Sequence, residues 1–502
     1  MREVYINEKR LKFITAFLLI GLLVVGNGLP TGVYALTDSG ADIEIEATVA
    51  APAFDALVSY DIDASAASVA KGDYNSDGVL DLILTHENGN AFSCIMGNED
   101  GTFASPQVTS TINYPTSPCP GDFNEDGKLD LAFVSGQTHG LHIHLGNGDG
   151  TFQPQNVNAV GTSPGRVMAA EVNQDGKLDL IVANYHSDNI SVLTGNGDGT
   201  FNSHVDIPTG DGPSDIEAKD FNGDGKVDIA VLNNYDESFS ILINNSADHM
   251  VSFSTGTTYI LDGSEPWGGS KDLASLLASD LVGNDGIADL AMTVCLKGDL
   301  VSYILIYEGI GDGTFQQVYA GETGKQAYDI VLGDFNSDNL PDLAMTNRYY
   351  STVVILCKTD DSWQSFDNYP AGSTPNQIVT GDFNDDGLDD LAVANPNNVA
   401  ALTILLQSND GGGDDTCIIA GCDTLISAGG FADSDIIDGK EYYCVDNAKQ
   451  LAHIHEHFDE NNECNLNFVQ TADIDLSVDF GNGWTPIGGF DGGSIFLGNY
   501  RG

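Results

Sequence analysis

The sequence predicts an all-β protein: a seven-bladed β-propeller of four-stranded blades, followed by a small partial second domain. Three observations support this fold class. An acidic motif returns along the chain, apolar runs of strand length surround each copy, and a glycine-rich hairpin follows several copies. Seven copies of the motif begin at residues 73, 122, 171, 220, 280, 334 and 382. A period of about 40–50 residues is typical of propellers, in which each repeat forms one blade.

The N-terminal segment has the layout of a secretory signal peptide. Basic residues lie within the first twelve positions, an apolar run spans 13–25, and Ala35 offers a small residue for cleavage. We therefore expect residues 1–35 to be removed, leaving a secreted or cell-surface chain with no membrane span. An uncleaved membrane anchor is the alternative, although the apolar run is short for a bilayer. Residues 36–51 are interpreted as a linker.

The repeat at 164–212 shows how each blade is composed. It contains four apolar or alternating runs, and the last two flank the glycine-rich turn 195–201, which suits a tight hairpin. The seventh repeat lacks a fourth run, whereas Phe54–Tyr60 resembles a spare one. We predict that this N-terminal strand completes the last blade and closes the ring over residues 52–407, leaving no exposed sheet edge.

The acidic motif carries oxygen-bearing side chains at positions 1, 3, 5 and 9, and usually glycine at position 6. Alternate oxygens in a tight turn converge on one point, and the backbone carbonyl of position 7 can join them. Such a set suits a hard cation such as Ca²⁺. Position 12 is apolar in these copies, which excludes an EF-hand. A turn rich in Asp and Asn that binds no metal is the alternative.

Two signatures recur in one register: Gly-Asp-Phe-Asn-x-Asp-Gly-x-x-Asp-Leu, then Gly-Asn-Gly-Asp-Gly-Thr-Phe. Together they resemble the FG-GAP/VCBS repeats, whose fold is that of the integrin α-subunit N-terminal propeller, over residues 52–407. The resemblance implies Ca²⁺ at positions 1, 3, 5, 7 and 9 of each loop. The implied ligands are Asp73, Asn75, Asp77, Val79 and Asp81; Asp122, Asn124, Asp126, Lys128 and Asp130; Glu171, Asn173, Asp175, Lys177 and Asp179; Asp220, Asn222, Asp224, Lys226 and Asp228; Asp334, Asn336, Asp338, Leu340 and Asp342; Asp382, Asn384, Asp386, Leu388 and Asp390.

Three copies depart from this pattern. The copy at 280–289 has one extra residue and carries Leu281 and Gly283 where ligands belong, so metal binding there stays open. Glu171 replaces aspartate at position 1. Asn339 replaces glycine at position 6, where asparagine tolerates the same backbone conformation and should preserve the loop.

The C-terminal part has a different character. Residues 408–415 form an acidic, glycine-rich linker, and residues 416–502 are a cysteine-containing segment. The runs at 468–476 and 484–488 resemble the start of a GLUG-type β-helix, and because the chain ends soon afterwards we expect a fragment. Two disulfides are expected in this segment, with zinc as the alternative, from Cys417, Cys422, Cys444 and Cys464. An amphipathic helix, rather than a metal site, is favoured for His453, His455 and His457.

Other cysteines and histidines lie within the repeats. A bond between Cys94 and Cys119 stays open, and two single buried thiols are expected at Cys295 and Cys357. Two histidines on one strand, His142 and His144, lie on the same face, and we expect them to be solvated.

The composition limits the partners. The net charge of −56 repels nucleic acid and anionic lipid. Strand parity places the cation loops on one face of the propeller and the loops between second and third strands on the other. Aromatic side chains on that opposite face suit glycan or protein recognition, although variable loop surface is the alternative. The candidates are His86, His139, Tyr185, Tyr235, Trp267 and Tyr349.

These features predict an extracellular Ca²⁺-binding propeller that acts as a binding or adhesion module for glycan or protein ligands. The sequence contains no Gly-x-Ser-x-Gly, His-Glu-x-x-His or phosphate-loop motif, so we predict that it is not an enzyme. Two alternatives remain: the propeller domain of a secreted polysaccharide-degrading enzyme, or a structural spacer in a larger surface protein.

Overall fold

A computed structural model describes residues 52–408, apart from 56, 63–64, 87–88, 112–113, 155, 262–269, 299, 360–361 and 397–399. Outside 52–408 it describes only the backbone of short strands. The chain divides into two compact units, the first comprising Met1–Ala51 with Leu57–Leu406 and the second Pro52–Ala56 with Gln407–Gly502. No helix occurs among the described residues.

Among the described residues, the first unit contains seven four-stranded antiparallel sheets and one hairpin. The hairpin, β1 (Val33–Asp38) with β2 (Ile43–Thr48), lies in and just before the predicted linker. The remaining strands are β3 (Val58–Asp61), β4 (Ala66–Gly72), β5 (Asp81–His86), β6 (Ala91–Ile95), β7 (Gln107–Ser110), β8 (Thr116–Gly121), β9 (Asp130–Ser135), β10 (Gly140–His144), β11 (Asn156–Ala159), β12 (Pro164–Ala170), β13 (Asp179–Asn184), β14 (Asn189–Leu193), β15 (Val205–Pro208), β16 (Pro213–Lys219), β17 (Asp228–Asn233), β18 (Ser238–Asn244), β19 (Phe253–Ile260), β20 (Lys271–Ser279), β21 (Asp289–Leu296), β22 (Val301–Gly309), β23 (Phe315–Lys325), β24 (Ala327–Gly333), β25 (Asp342–Asn347), β26 (Thr352–Lys358), β27 (Trp363–Pro370), β28 (Ile378–Gly381), β29 (Asp390–Ala394) and β30 (Ala400–Leu405).

The sheets are blades arranged in a closed ring. Blades 1 to 6 are the consecutive groups of four strands from β4 to β27, and blade 7 has the order β28-β29-β30-β3. The first strand of every blade contacts the first strands of the two neighbouring blades, and β28 contacts β4. These first strands therefore surround the axis, and the predicted seven-bladed propeller is confirmed.

Blade 7 is completed from the other end of the chain, as predicted. Strand β3 pairs antiparallel with β30, and the register sets Val58 opposite Ile404 and Tyr60 opposite Leu402. The pairing gives β30 a neighbour on its outer edge, so the last blade has the same four strands as the others. An unpaired strand at this place would invite pairing with another chain.

The core lies between neighbouring blades. The second strand of each blade, such as β9 and β13, is buried along its whole length, because both faces of the sheet pack against other blades. Near-continuous apolar runs are the sequence form of strands covered on both sides. Separate clusters of buried side chains fill the spaces between blades, for example around Val134 and Leu180 between blades 2 and 3.

The burial of whole blades corrects one expectation from the sequence. His142 and His144 in β10 are only 2% exposed, rather than solvated. Both rings stack on Phe133 of the neighbouring strand, with centroid distances of 5.8 and 5.4 Å. A third strand is covered on both faces by adjacent blades, so strand parity alone does not reveal which residues reach water.

The four cysteines of the propeller are free thiols. The structure thus does not join Cys94 to Cys119, and it confirms that Cys295 and Cys357 are single and buried. Burial raises the pKa of the Cys94 thiol to about 12, which keeps it protonated.

In the second unit the structure describes a set of short strands. They are β31 (Thr416–Cys417), β32 (Ile426–Ser427), β33 (Asp435–Ile437), β34 (Lys440–Val445), β35 (Asn467–Gln470), β36 (Trp484–Thr485), β37 (Gly489–Asp491), β38 (Ser494–Phe496) and β39 (Asn499–Tyr500). They pair into small sheets of two or three strands, and a GLUG-type β-helix is not shown. The predicted disulfides, the histidine segment at 453–457 and the signal peptide's apolar run fall outside the described residues.

Candidate functional site

The cation loops, which are the motif segments from position 1 to position 9, each join the first two strands of a blade. In blade 2, Asp122 accepts hydrogen bonds from the backbone amides of Asp126 at 3.0 Å and Gly127 at 2.8 Å. Asn124 accepts from the Asp126 amide at 2.9 Å, and Asp126 accepts from the Lys128 amide at 3.0 Å. The side-chain oxygens of positions 1, 3 and 5 therefore hold the loop backbone in a tight turn through hydrogen bonds to its amides.

The same loop geometry recurs in six blades. The amide of position 5 donates to the side chain of position 1 in all six, in the pairs Asp77–Asp73, Asp126–Asp122, Asp175–Glu171, Asp224–Asp220, Asp338–Asp334 and Asp386–Asp382. Position 6 has a positive φ, which glycine adopts without strain, as at Gly127 with 80°. Position 4 also has a positive φ, as at Glu125 with 57°.

The aspartate at position 9 has a structural role that the sequence did not reveal. Asp130 is fully buried, and its two carboxylate oxygens accept backbone hydrogen bonds from Phe123 at 2.9 Å and Gly146 at 2.8 Å. One bond goes to the cation loop and the other to the glycine-rich hairpin. Asp130 thus fixes the distance between these two turns of its blade. Burial and, to a smaller extent, the nearby Asp126 and Asp122 carboxylates raise its pKa to about 6, although the two backbone hydrogen bonds lower it.

Equivalent bonds occur in other blades. The position 9 carboxylates bond both turns at Asp81, Asp179, Asp228, Asp289 and Asp342. In blade 2 the hairpin position is Gly146, where a Cβ would come within 2.1 Å of the Leu129 carbonyl. Asn244 and Lys358 stand at this position in blades 4 and 6, and their amides make the same bond. Where both sequence signatures occur, the aspartate at position 9 and the first glycine of the hairpin are therefore joined by a hydrogen bond.

The three departing loops are explained by the structure. In blade 5, Leu281 is fully buried in the place of the aromatic residue at position 2, and the extra residue leaves Gly283 without a side chain at the donor position. Glu171 still accepts the Asp175 amide, at 3.2 Å. Asn339 adopts φ of 63° and its amide donates to Asp334 at 2.7 Å, so this loop is preserved as predicted.

The donor chemistry of the six complete loops fits Ca²⁺. Every candidate donor is a carboxylate, amide or backbone oxygen, and three carboxyl groups per loop supply negative charge. As the side chains stand, no group of three His, Cys, Asp or Glu residues within the described part of the chain is arranged to hold a metal ion. The side chains of positions 1, 3 and 5 point to backbone amides, and binding would require them to turn their remaining lone pairs toward a common centre.

The cation-loop face also links consecutive blades. Phe123, at position 2 of the blade 2 loop, packs edge to face on Phe201 from the hairpin of blade 3, with ring centroids 5.7 Å apart. The Gly199 amide of the same hairpin donates to the Phe123 carbonyl at 2.9 Å. Similar pairs join Tyr74 to Phe152 and Phe221 to Phe315. The position of each cation loop is therefore coupled to the next blade.

The opposite face carries an aromatic pair on blades 3 and 4, in which Tyr235 is exposed and Tyr185 is half-buried. Tyr235 is 60% exposed, and its ring centroid lies 5.0 Å from that of Tyr185. Tyr235 lies against Gly212, where a Cβ would come within 2.7 Å of the ring. The Tyr235 amide donates to the Asp211 carbonyl at 3.1 Å, so the loop is held in place. Partial burial and the neighbouring Tyr235 side chain raise the pKa of Tyr185 to about 12.

His86 is not part of that face, and this corrects the sequence prediction. It is 2% exposed, and its Nε2 lies 2.8 Å from the Ser93 hydroxyl. Asn184 occupies the corresponding place at the end of β13, and its side-chain amide donates to Ser191 at 2.9 Å. His86 therefore replaces a buried asparagine that ties the second strand to the third. Aligning the repeats at this column is the sequence signal that would have identified it.

The other predicted face residues have different positions. His139 is exposed and its Nδ1 accepts a hydrogen bond from the Ser163 amide at 3.0 Å. Tyr349 is 57% exposed, packs edge to face on Tyr350, and lies 5.3 Å from the Lys325 ammonium. Trp267 lies outside the described residues. The structure therefore brings Tyr185 and Tyr235 together and places Tyr349 in a separate pair on blade 6.

Sequence reasoning missed a polar ring around the axis. It consists of the residues five positions before each motif, namely Ser68, Ser117, Arg166, Asp215, Ser275, Asp329 and Gln377. Each blade is joined to the next by one of these side chains, in the contacts Ser68–Ser117, Ser117–Val167, Arg166–Asp215, Asp215–Leu276, Ser275–Asp329, Asp329–Ile378 and Gln377–Val69. The fixed offset from the motif is the signal that could have revealed the ring.

One side of this ring is charged, and we name Arg166, Asp215, Glu217 and Asp329 the axial cluster. The Arg166 Nε lies 2.9 Å from Asp215 Oδ1. Burial raises the pKa of Glu217 to about 8, an effect that Asp215 increases and Arg166 opposes. Burial also raises the pKa of Asp329. Carboxyl groups in low-dielectric surroundings hold their protons more tightly.

No helix in the described part of the chain is both long and apolar enough to cross a membrane.

No curated protein is similar enough in sequence to count as a relative. Solved structures similar to the chain include the periplasmic gluconolactonase of Pseudomonas aeruginosa, at 15% identity over 69% of this chain and 93% of that one, with a TM-score of 0.48. A putative 6-phosphogluconolactonase of Bacteroides fragilis has 16% identity over 70% and 94%, with a TM-score of 0.46. A Lactobacillus plantarum protein has 11% identity over 68% and 92%, also with a TM-score of 0.46.

Family models match the repeats directly. The FG-GAP-like repeat matches residues 73–133, 122–182, 171–231 and 282–345, and the FG-GAP repeat matches residues 374–413. The matches follow the motif register and together span more than half of the chain. The chain therefore belongs to the FG-GAP repeat family, and its repeats are the blades of a seven-bladed β-propeller.

Proposed function

We propose that this chain is an extracellular, Ca²⁺-stabilised propeller that serves as a binding or adhesion module for a glycan or protein ligand. In this proposal, residues 1–35 direct secretion and the ligand docks on the face opposite the cation loops. The observation that carries the proposal is the aromatic pair of Tyr185 and Tyr235, which presents ring surface to solvent on a fixed backbone. Exposed aromatic side chains that are already ordered lose little entropy when a ligand binds.

Acidic groups around the pair supply polar contacts. Asp188 accepts the Gly212 amide at 3.0 Å, and Asp236 accepts the Asp211 amide at 2.8 Å, so both carboxylates are oriented beside the rings. Their remaining lone pairs can accept hydrogen bonds from ligand hydroxyl or amide groups. An apolar platform with oriented acceptors suits a sugar ring, and it also suits a basic or aromatic side chain of a protein.

Calcium has a supporting role in this proposal. The cation loops lie on the opposite face and hold the turns of each blade, so bound Ca²⁺ would stiffen the ring without touching the ligand. Extracellular calcium modules bind at about 0.1–1 mM, which suits an environment rich in calcium. Positions 1, 3, 5 and 9 would supply side-chain oxygens and position 7 a carbonyl, from residues of this chain alone.

The proposal is tested with a glycan and matrix-protein binding array, with and without Ca²⁺. Wild-type chain is compared with Tyr235→Ala and with Val157→Ala, an outer-strand residue that is also 60% exposed. We expect binding that Tyr235→Ala reduces by about tenfold, as for an interface residue of about 1.4 kcal/mol or more, and that Val157→Ala leaves unchanged. Binding unaffected by Tyr235→Ala would place the ligand elsewhere, and cleavage of a bound glycan would favour the enzyme alternative.

A further inference from the structure

Asparagine directly precedes glycine at three places among the described residues, namely Asn147, Asn196 and Asn222. The first two occupy the same place in the glycine-rich hairpins of blades 2 and 3, and Asn222 is position 3 of the blade 4 cation loop. In such a pair the glycine amide nitrogen can attack the asparagine side chain, because glycine has no side chain to hinder the approach. The surroundings of each pair therefore decide which asparagine reacts first.

The peptide group between Asn196 and Gly197 is bound by a lysine. The Lys177 ammonium donates a hydrogen bond to the Asn196 carbonyl oxygen at 2.7 Å. This oxygen belongs to the same peptide group as the Gly197 nitrogen, so resonance spreads onto it the negative charge that forms when the nitrogen loses its proton. A cation at the oxygen stabilises this charge and makes the nitrogen a better nucleophile.

The other two pairs have different surroundings. In blade 2, Lys128 corresponds to Lys177, but its ammonium lies 3.6 Å from Asp126 Oδ2 in its own cation loop. In the blade 4 pair, the Gly223 amide donates to Asp220 Oδ1 at 2.8 Å. This bond holds the proton that the attack must release, and the carboxylate opposes a negative charge on the nitrogen.

The two hairpin asparagines are otherwise held alike. Nδ2 of Asn196 donates to the Thr200 hydroxyl at 2.9 Å, and Nδ2 of Asn147 donates to the Thr151 hydroxyl at 2.9 Å. The backbone amides of both asparagines donate to the carbonyls of the same threonines, at 3.0 and 2.9 Å. The contact of Lys177 with the peptide group thus distinguishes two turns that share their other bonds.

We propose that Asn196 is a self-modification site, where the chain converts asparagine to aspartate or isoaspartate through a succinimide. The Gly197 nitrogen loses its proton to water and forms a bond to Cγ of Asn196. The bond from Cγ to Nδ2 breaks, and the amide group leaves as ammonia with a proton from water. A second water then opens the ring at either carbonyl, which gives aspartate or isoaspartate. No oxidant or reductant takes part.

The isoaspartate product alters the contacts of the hairpin. The Gly195 amide donates to Asp179 at 2.9 Å, and the Gly199 amide donates to the Phe123 carbonyl at 2.9 Å. Isoaspartate adds a methylene group to the backbone between these two glycines, which changes the distance that the chain spans. Conversion should therefore strain the contact between blades 2 and 3 and lower the melting temperature of the aged protein.

The experiment incubates the full chain in Ca²⁺ at mildly alkaline pH and follows each asparagine by peptide mapping with mass spectrometry. Labelling with isoaspartyl methyltransferase detects the isoaspartate product. We expect Asn196 to convert faster than Asn147 and Asn222. Lys177→Met removes the charge but keeps the length of the side chain, and it should slow the conversion about three- to tenfold, the effect of one net hydrogen bond on a barrier. The matched control Lys128→Met should leave the rate at Asn196 unchanged, and melting curves verify that both variants are folded.

Two further measurements separate the fold from the sequence. Glu125→Gln neutralises a carboxylate that lies beside Gly197, and it should not slow the reaction, because an anion there opposes the developing negative charge. In concentrated urea the three pairs should react at similar rates. The proposal is wrong if Asn196 in the folded chain converts no faster than Asn147, if Lys177→Met leaves its rate unchanged, or if urea preserves the order. These rates do not depend on a ligand, so they leave the proposed function to its own test.

Discussion

Gln377 and Val69 are 308 residues apart in the sequence, yet Gln377 Oε1 accepts a hydrogen bond from the Val69 amide at 3.1 Å. This bond joins the inner strand of blade 7 to that of blade 1, where the ring of blades closes. It is the last link of the polar ring, and it acts on the axis while β3 closes the same blade at its outer edge. The propeller is thus held at its closure point from both sides.

Loss of this inner link should weaken the whole domain. Gln377→Ala leaves the Val69 amide without its partner in a part-buried site, and we expect a loss of about 1–3 kcal/mol in the free energy of unfolding. Equilibrium urea denaturation measures this loss. Gln364→Ala, at an exposed position on β27, serves as the control and should change stability little. Equal stability of both variants would show that the ring does not depend on this bond.

Positions 5 and 9 of a cation loop should respond differently to substitution. Asp130→Asn replaces a buried acceptor of two backbone bonds, so we expect a loss of about 1.5–3 kcal/mol even in EDTA. Asp126→Asn changes an exposed loop side chain and should alter stability only when Ca²⁺ is present. Urea titrations in EDTA and in Ca²⁺ measure both variants. If Asp130→Asn were neutral in EDTA, the structural role of position 9 would be wrong.

Calcium removal should lower the melting temperature if the six complete loops bind the ion. At 1 mM Ca²⁺, a site with a Kd of about 0.1 mM adds about 1.4 kcal/mol to stability, so six independent sites add about 8 kcal/mol. Calorimetric melts in Ca²⁺ and in EDTA measure the difference, and EDTA saturated with Ca²⁺ controls for the chelator itself. Identical melting curves would refute a stabilising role for Ca²⁺.

His86→Asn tests whether His86 has a structural role in blade 1 rather than a role in ligand binding. Asn184 and Asn233 occupy the corresponding places and bond the hydroxyls of Ser191 and Ser240, so asparagine should replace the histidine with a stability change below about 1 kcal/mol. His86→Leu, which cannot bond Ser93, should cost more. Ligand binding should be unchanged in His86→Asn. If folded His86→Asn lost ligand binding, His86 would be part of the ligand-binding face after all.

The axial cluster should make stability depend on pH. Burial raises the pKa of Glu217 from 4.5 to about 8, so its contribution is complete below pH 4.5 and is lost as the pH rises to about 8. The slope within this window is at most about 1.4 kcal/mol per pH unit. Urea denaturation between pH 5 and pH 8.5 in saturating Ca²⁺ should therefore show a steeper fall for wild type than for Glu217→Gln. Parallel pH profiles for wild type and Glu217→Gln would contradict a raised pKa of Glu217 in the folded protein.

The sequence predicted the propeller because its evidence is periodic. Seven motifs at similar spacing, apolar runs and hairpin turns each repeat, so a single ambiguous copy such as 280–289 did not change the blade number. The closure by β3 was also predictable, since the last repeat lacked a strand and a spare one preceded the first. The prediction of a preserved loop at Asn339 followed from backbone conformation alone.

The remaining features depend on neighbours that the sequence does not name. Whether His86 or Tyr235 reaches water is decided by the blades that pack on either side, because both lie near the same turn in their repeats. Arg166 and Asp329 are 163 positions apart by their numbering, and only closure of the ring brings them within electrostatic range. The sequence alone determined the repeat, its period and its acidic turns, since these are local. The tertiary structure decided which side chains are exposed, buried or paired, since these depend on contacts between blades.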